Sequence, residues 1–385
     1  ERDEEITRIL VDTKSKYGYP EKFRTCFGKN ADARIYKIAT RLHAAKMEKG
    51  ITLALQSNTP EVLKNVRRQN IRMETYRSLQ KKFNEAGVPV YSELILGLPG
   101  ETYDSWKRGI EELLRSGLKN QIFIYLCQIL PNTEMAEEQY RKRFCIISRR
   151  IELNEIHGAA RRGLVTEYED VVITTTAMDV GMWRKMVLFS WVTMLLHSLK
   201  LGFFVLLWLY RKHHISPTSF IEYFCNASNR PAIERVLTDF REQTGRILGG
   251  CGRGHVLEGY GNLYWDEEET AFLKVMENPE DFYCDFKFLL GDFMRLYGGV
   301  EAMEIEEVLK YQKARIPSYF SPTTHRYAFH SNTPEYFAHL LTDPVEFKWE
   351  PTTLTTTQED FNGDKAWYAQ KTILWGRKSG TLMTT

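Results

Sequence analysis

The sequence predicts an α/β protein, in which a first segment of βα units around a parallel sheet is followed by a mainly helical second segment. Three observations predict it. Up to about residue 130, short apolar runs alternate with amphipathic helical stretches. Beyond about residue 140 that alternation stops, and the chain becomes aromatic-rich with few glycine or proline clusters. With 385 residues and 43% apolar content, there is ample material for the core of one large domain or two ordinary ones.

Taken in order, a helix near Glu4 to Lys16 leads to Phe23-Arg24-Thr25-Cys26-Phe27-Gly28, a candidate strand. A helix over Ala33 to Lys49 precedes the apolar run Ile51 to Ser57, a second strand. Thr59-Pro60-Glu61 reads as a helix start, because proline at the first helical position costs no hydrogen bond. Met73 to Ala86 is a further helix, closed by Gly87. Val88 to Leu96 is the third strand, Thr102 to Ser116 the next helix, and Gln121 to Leu126 the fourth strand. A domain boundary is expected near residues 140 to 165, dividing the chain into 1–145 and 146–385.

Residues 187 to 210 are apolar enough to resemble a membrane span. His197 and Lys200 stand at the centre, Gly202 interrupts the run, and basic residues flank both ends. A central lysine is costly in lipid, so two consecutive buried helices are expected here instead. The chain opens on Glu1-Arg2-Asp3-Glu4-Glu5, already in a helical pattern and without a preceding cap, and reads as part of something longer.

Lysine plus arginine (52) balance aspartate plus glutamate (50), so no overall field draws nucleic acid or an anionic membrane. The six cysteines, Cys26, Cys127, Cys145, Cys225, Cys251 and Cys284, form no Cys-x-x-Cys pair, a pattern that suits reduced thiols and a cytoplasmic protein. Cys251 and His255 lack the further ligands of a metal site. His157 and His197 suit hydrogen-bonded core positions, with a place near a substrate as the alternative.

The strand ending at Leu96 runs into Gly97-Leu98-Pro99-Gly100-Glu101-Thr102. Glycines there let backbone approach a ligand, and ligands of parallel αβ sheets bind beyond the carboxyl ends of the strands. A plain βα connection explains the turn equally well. Gln56 and Ser57 end the preceding strand at the same level, where they can meet a ribose or amino-acid group; Ser57 also suits a cap for the helix from Pro60. Of Arg67 and Arg68 on that helix, one is a candidate partner for a ligand carboxylate, although an exposed helix face accounts for most such pairs.

The series Leu55-Gln56-Ser57-Asn58-Thr59-Pro60-Glu61-Val62-Leu63-Lys64, then Arg68, then Glu93-Leu94-Ile95-Leu96-Gly97-Leu98-Pro99-Gly100-Glu101-Thr102, resembles the second half of a radical S-adenosylmethionine barrel. It is most similar to the branch that carries a cobalamin (B12)-binding domain. Tyr125 to Leu130 with Pro131 to Met135, and beyond them Tyr168 to Ile173, Trp183 to Leu201 and Trp367 to Arg377, are similar to the later segments of that branch. The resemblance implies a partial βα barrel with about four strands present in this chain and a helical extension that closes its open side. It implies S-adenosylmethionine bound by Gln56, Ser57, Arg68, Glu93, Ile95, Gly97, Leu98, Pro99 and Gly100.

The family holds a [4Fe-4S] cluster through Cys-x-x-x-Cys-x-x-Cys, and no such triplet occurs among these residues. The resemblance therefore places the cluster ligands and the cobalamin domain upstream, with no metal ligand in this chain. It implies a parent enzyme that generates a 5′-deoxyadenosyl radical, with methyl transfer as the natural outcome and this portion inactive alone. The implied partners are a small-molecule or biosynthetic-intermediate substrate and an electron donor such as flavodoxin or ferredoxin. A non-catalytic, degenerate barrel that binds a nucleotide-like ligand or a protein is the competing expectation, and a membrane-anchored protein the third.

Overall fold

The computed structural model describes residues 2–23, 33–48, 50–160, 163, 165–341, 343–379 and 382–385. Two helices, α1 (Arg2–Tyr17) and α2 (Ala33–Ala44), precede a parallel sheet in the order β1 (Ile51–Thr52), β2 (Val90–Leu96) and β3 (Ile122–Leu126). The connections carry α3 (Pro60–Asn65), α4 (Met73–Glu85) and α5 (Tyr103–Arg115). Thr102 caps α5 through a reciprocal pair with Ser105, and Gly87 takes φ +66° beyond α4, the turn at which the chain reverses into β2. Register is continuous from Ser92 opposite Ile122 to Leu96 opposite Leu126.

Ser92, Leu94 and Leu96 of β2 are buried, while Tyr91, Glu93 and Ile95 are half-buried on the opposite face. Tyr76 and Ser92 share a hydrogen bond of 2.5 Å in the buried layer. The expected strand Ile51 to Ser57 is shorter than its apolar pattern. Leu55 and Gln56 both donate backbone N–H groups to Glu93 O, at 3.2 and 2.9 Å, and Gln56 takes φ +61°, so the ladder breaks there and resumes as one bridge to Leu94. Of the expected strand Phe23 to Gly28, residues 24–28 lie outside the described residues.

The second segment begins with a short helix, α6 (Glu138–Arg143), and then a hairpin of β4 (Ile147–Glu152) and β5 (Tyr168–Thr174) that the largely helical expectation omits. It continues with α7 (Val180–Thr193), α8 (Phe203–Arg211), α9 (Pro217–Cys225), α10 (Pro231–Leu248), α11 (Glu267–Glu277), α12 (Pro279–Arg295) and α13 (Ala302–Ala314). A second hairpin, β6 (Thr324–Phe329) and β7 (Thr352–Thr357), encloses α14 (Thr333–His339), and α15 (Lys365–Ala369) and α16 (Gly376–Ser379) end the chain. Strands β4, β6 and β7 are largely exposed and lack the apolar signal from which strands are read, while β5 buries Val171, Val172 and Ile173.

No single helix among the described residues is long and apolar enough to cross a membrane. The apolar stretch is instead two buried arms, Val180–Ser198 and Phe203–Arg211, that meet at 91°. His197 and Lys200 are both buried at that bend, and each donates to a carbonyl of the loop between α5 and β3: His197 Nε2 to Leu118 O at 3.0 Å, and Lys200 Nζ to Lys119 O. Trp106 Nε1 donates to Ser190 Oγ at 3.0 Å, and the main apolar core runs without a break from the parallel sheet into these helices.

Candidate functional site

At the carboxyl end of the sheet, Gly97 and Gly100 take φ +100° and +94°, backbone that side chains rarely adopt. Their bare faces are filled by protein. A Cβ at Gly97 would stand 3.4 Å from Cys127 Cβ and 3.5 Å from Val172 O, and one at Gly100 only 2.7 Å from Asn65 Nδ2. Asn65 Nδ2 also donates to Pro99 O at 3.0 Å, and Leu98 is buried against Val62, Cys127 and Phe144. The glycines thus give close packing of the turn on α3 and β5, a use that motif reading does not separate from an approach to a ligand.

Glu101, 1% exposed, draws this end together. Its Oε2 accepts from Ser57 Oγ at 2.6 Å, and its Oε1 from Thr59 Oγ1 at 2.7 Å and Ser105 Oγ at 2.5 Å. Ser57 Oγ accepts in turn from Thr59 N at 3.1 Å, so this hydroxyl serves the turn before α3. Arg68 Nε donates to Asn70 Oδ1 at 3.0 Å and its Nη2 to Ala54 O at 3.3 Å, and burial lowers its affinity for a proton. Arg67, by contrast, is exposed and pairs with Glu134. The side chain of Gln56, half-buried beside Ser57, has no protein partner among the described residues.

On the face of the sheet turned away from its helices, Tyr91, Glu93 and Ile95 stand beside Phe123 and Tyr125. Tyr91 meets Phe123 edge-on at 5.6 Å, Phe123 stacks with Tyr125 at 6.3 Å, and Tyr125 is 42% exposed. Burial, reinforced by the charge of Glu93, pushes the Tyr125 phenol upward and keeps it protonated.

The outer edge of β3 is closed by the second segment. Ser198 Oγ accepts from Ile122 N at 3.0 Å and donates to Ile122 O at 3.2 Å. Further along, Val172 N donates to Cys127 O and Ile129 N to Asp170 O, each at 2.8 Å, which lays β5 along the same edge. Arg377 of α16 completes the closure: its guanidinium lies 5.1 Å from the Phe123 ring, and Nε donates to Gln121 Oε1 at 3.0 Å. Nη1 donates to Glu269 Oε1 at 2.5 Å and Nη2 to Glu268 Oε1 at 2.9 Å, the arginine itself being 4% exposed.

These carboxylates belong to the start of α11, where Asp266 is the N-cap. Against the push of burial, Arg253, with Nη2 at 3.1 Å, holds Asp266 well below the usual carboxylate range. Arg377 and His157, whose Nε2 lies 2.8 Å from Glu269 Oε2, likewise lower Glu269 against its burial. Burial and the neighbouring Asp266 charge push Glu268 up to about 7. His157 takes φ +64° and lies edge-on to Trp265 at 5.7 Å, a half-exposed place beside this cluster, whereas His197 is the buried, hydrogen-bonded core histidine. Sequence reasoning missed Arg377 and the α11 carboxylates; the four-residue acidic run was the available signal, and its partner stands 109 positions away.

The cysteines do not assemble. Among the described residues, the only set of three ligand-type side chains close enough to share an ion is Asp266, Glu267 and Glu268, and it contains no thiol. Cys127 is buried with its thiol pushed up to about 12 by desolvation, the opposite of a metal-binding thiolate. Cys251 and His255 form no metal set either, and Cys26 lies outside the described residues.

No family model matches the chain. Two curated proteins are similar to it. One, named 2-(S-pantetheinyl)-carbapenam-3-carboxylate methyltransferase, from Streptantibioticus cattleyicolor, is 32% identical over 223 residues, which is 57% of this chain and 32% of that protein. The other, named cobalamin-dependent radical SAM methyltransferase TokK, from Streptomyces tokunonensis, is 32% identical over 225 residues, again 57% of this chain and 32% of the relative. The chain thus spans about a third of the length of the relatives it matches.

Proposed function

We propose that this chain, similar over 57% of its length to two curated methyltransferases, belongs to the cobalamin-binding branch of the radical S-adenosylmethionine superfamily and is the C-terminal portion of a methyltransferase acting on a small molecule or biosynthetic intermediate. That branch works with S-adenosylmethionine, a [4Fe-4S] cluster and cobalamin, which supply the radical and methyl-transfer chemistry when bound. The described residues do not suit the cluster, since no three thiols among them converge, and in this reading its ligands come from elsewhere in the longer protein. An electron donor such as flavodoxin or ferredoxin would serve that cluster.

The observation that carries the reading is the half-exposed inner face of the parallel sheet, with Tyr91, Glu93, Ile95, Phe123 and Tyr125 on it and the outer edge of β3 already closed. Such a face suits the last strands of a partial barrel whose earlier strands pair beyond β1. Residues 1–145 then supply barrel strands, and 146–385 the closure of the open side and much of the substrate pocket. Gln56, with its unengaged amide, takes the direct polar contact with S-adenosylmethionine. Ile95 offers an apolar side chain and Gly97 its backbone to the adenine, and Glu93 lines the interior. Ser57, Arg68, Leu98, Pro99 and Gly100 hold the shape of the strand ends through the bonds described, with Glu101 at their centre.

The full-length protein, reconstituted anaerobically with iron, sulfide and cobalamin, is expected to show cluster charge-transfer absorption and to release 5′-deoxyadenosine from S-adenosylmethionine under reduction. This chain alone is expected to do neither. A full-length protein lacking both signals would overturn the reading in favour of a non-catalytic barrel that binds a nucleotide-like ligand or a protein.

A further inference from the structure

We infer that Asp266, Glu267 and Glu268, at the start of α11, form a calcium-binding site. One carboxylate oxygen of each lies within 4.8 Å of the others, so a single point lies within about 2.8 Å of all three, compatible with Ca²⁺–oxygen bonds of about 2.3–2.6 Å. Proximity alone would mean little. Glu267 and Glu268 are 2% and 1% exposed, and the Oε2 of each is buried without any hydrogen-bond donor.

The other oxygens are taken. Glu267 Oε1 accepts from Gly254 N at 2.9 Å and Gln243 Nε2 at 3.1 Å, Glu268 Oε1 from Arg377, and both Asp266 oxygens from Arg253 at 3.1 and 3.2 Å, so the Asp266 ligand oxygen is shared between Arg253 and the ion. Hence the two donor-free oxygens are the ones left to face a further positive group.

Charge points the same way. Asp266, Glu267, Glu268 and Glu269 are four buried or half-buried carboxylates against two guanidiniums, Arg253 and Arg377, and the half-exposed His157 ring, so acidic groups outnumber basic ones in a desolvated cluster. The positive end of α11 offsets part of that surplus but gives the two free oxygens no donor. One divalent cation neutralises it and satisfies both. Calcium suits an all-oxygen site with little room for water, whereas magnesium keeps several waters and demands a regular octahedron.

The test uses the full-length protein, freed of divalent ions by EGTA and titrated with CaCl₂ in a calorimeter and in thermal unfolding. One calcium per chain is expected, with Tm raised by roughly 2–3 °C at a hundred times Kd. Glu268→Gln and, separately, Glu267→Gln should each weaken binding at least tenfold. Wild-type protein that gives neither heat nor a Tm shift overturns the site, in which case protons neutralise the cluster. Equal shifts with MgCl₂ overturn calcium as its occupant. Neither readout uses turnover, so the result stands apart from the proposed methyl transfer.

Discussion

Ser57 donates its buried hydroxyl to Glu101 Oε2 at 2.6 Å, joining two residues 44 positions apart at the carboxyl end of the sheet. With Thr59 and Ser105 on the other oxygen, three hydroxyls converge on one carboxylate that has almost no access to water. Glu101→Gln puts an amide N–H₂ where two oxygen acceptors are needed, and leaves at least one hydroxyl unsatisfied. A loss of about 2–3 kcal/mol is expected, measured as a lower urea midpoint at unchanged m-value. A midpoint equal to that of wild type would remove Glu101 as the organiser of the turn.

Gly100→Ala meets two obstacles, the φ of +94° and the Asn65 amide 2.7 Å from the new Cβ. Because Asn65 also holds Pro99 O, it cannot withdraw freely. We expect a cost of about 1–3 kcal/mol, seen as accelerated hydrogen exchange at residues 97–102 before any global loss.

His197 sets a pH limit. Burial, then the nearby Lys200 charge, hold its pKa well below 6.5, so the folded protein keeps the ring neutral with Nε2–H on Leu118 O. A group with a depressed folded value is protonated more readily in the unfolded chain. Its contribution is therefore complete above about pH 6.5 and is lost as pH falls from there toward the folded value, at up to about 1.4 kcal/mol per pH unit. Urea unfolding at pH 5.5 and 7.5 should show this slope in wild type and a smaller one in His197→Gln.

Arg377→Met strips donors from Glu268, Glu269 and Gln121 together. Removing one side of a buried ion pair costs about 3–5 kcal/mol; Glu269 keeps His157 and the Asp266 N–H, but Glu268 is left buried without its charge partner. Combining it with Glu268→Gln should recover part of that loss, because the stranded charge is then gone. A strictly additive double variant would show that Arg377 and Glu268 are not coupled.

What the sequence determined by itself is what local periodicity and local chemistry carry. Alternating burial along Val90 to Leu96, the capped helix from Tyr103, the proline-led start at Pro60 and the burial of residues 187 to 210 all follow from neighbours a few positions away. The turn at Gly97 to Glu101 was legible as special for the same reason. Tertiary structure alone decided what those residues touch. It shortened the strand after Ile51 at the left-handed Gln56, paired exposed strands such as Thr324–Phe329 whose sequence carries no apolar alternation, and gave the Gly97 and Gly100 faces to Cys127 and Asn65. It also set Arg377 between Glu268 and Glu269 over Phe123, a contact between charged groups more than a hundred positions apart, which only the folded chain brings out of water together.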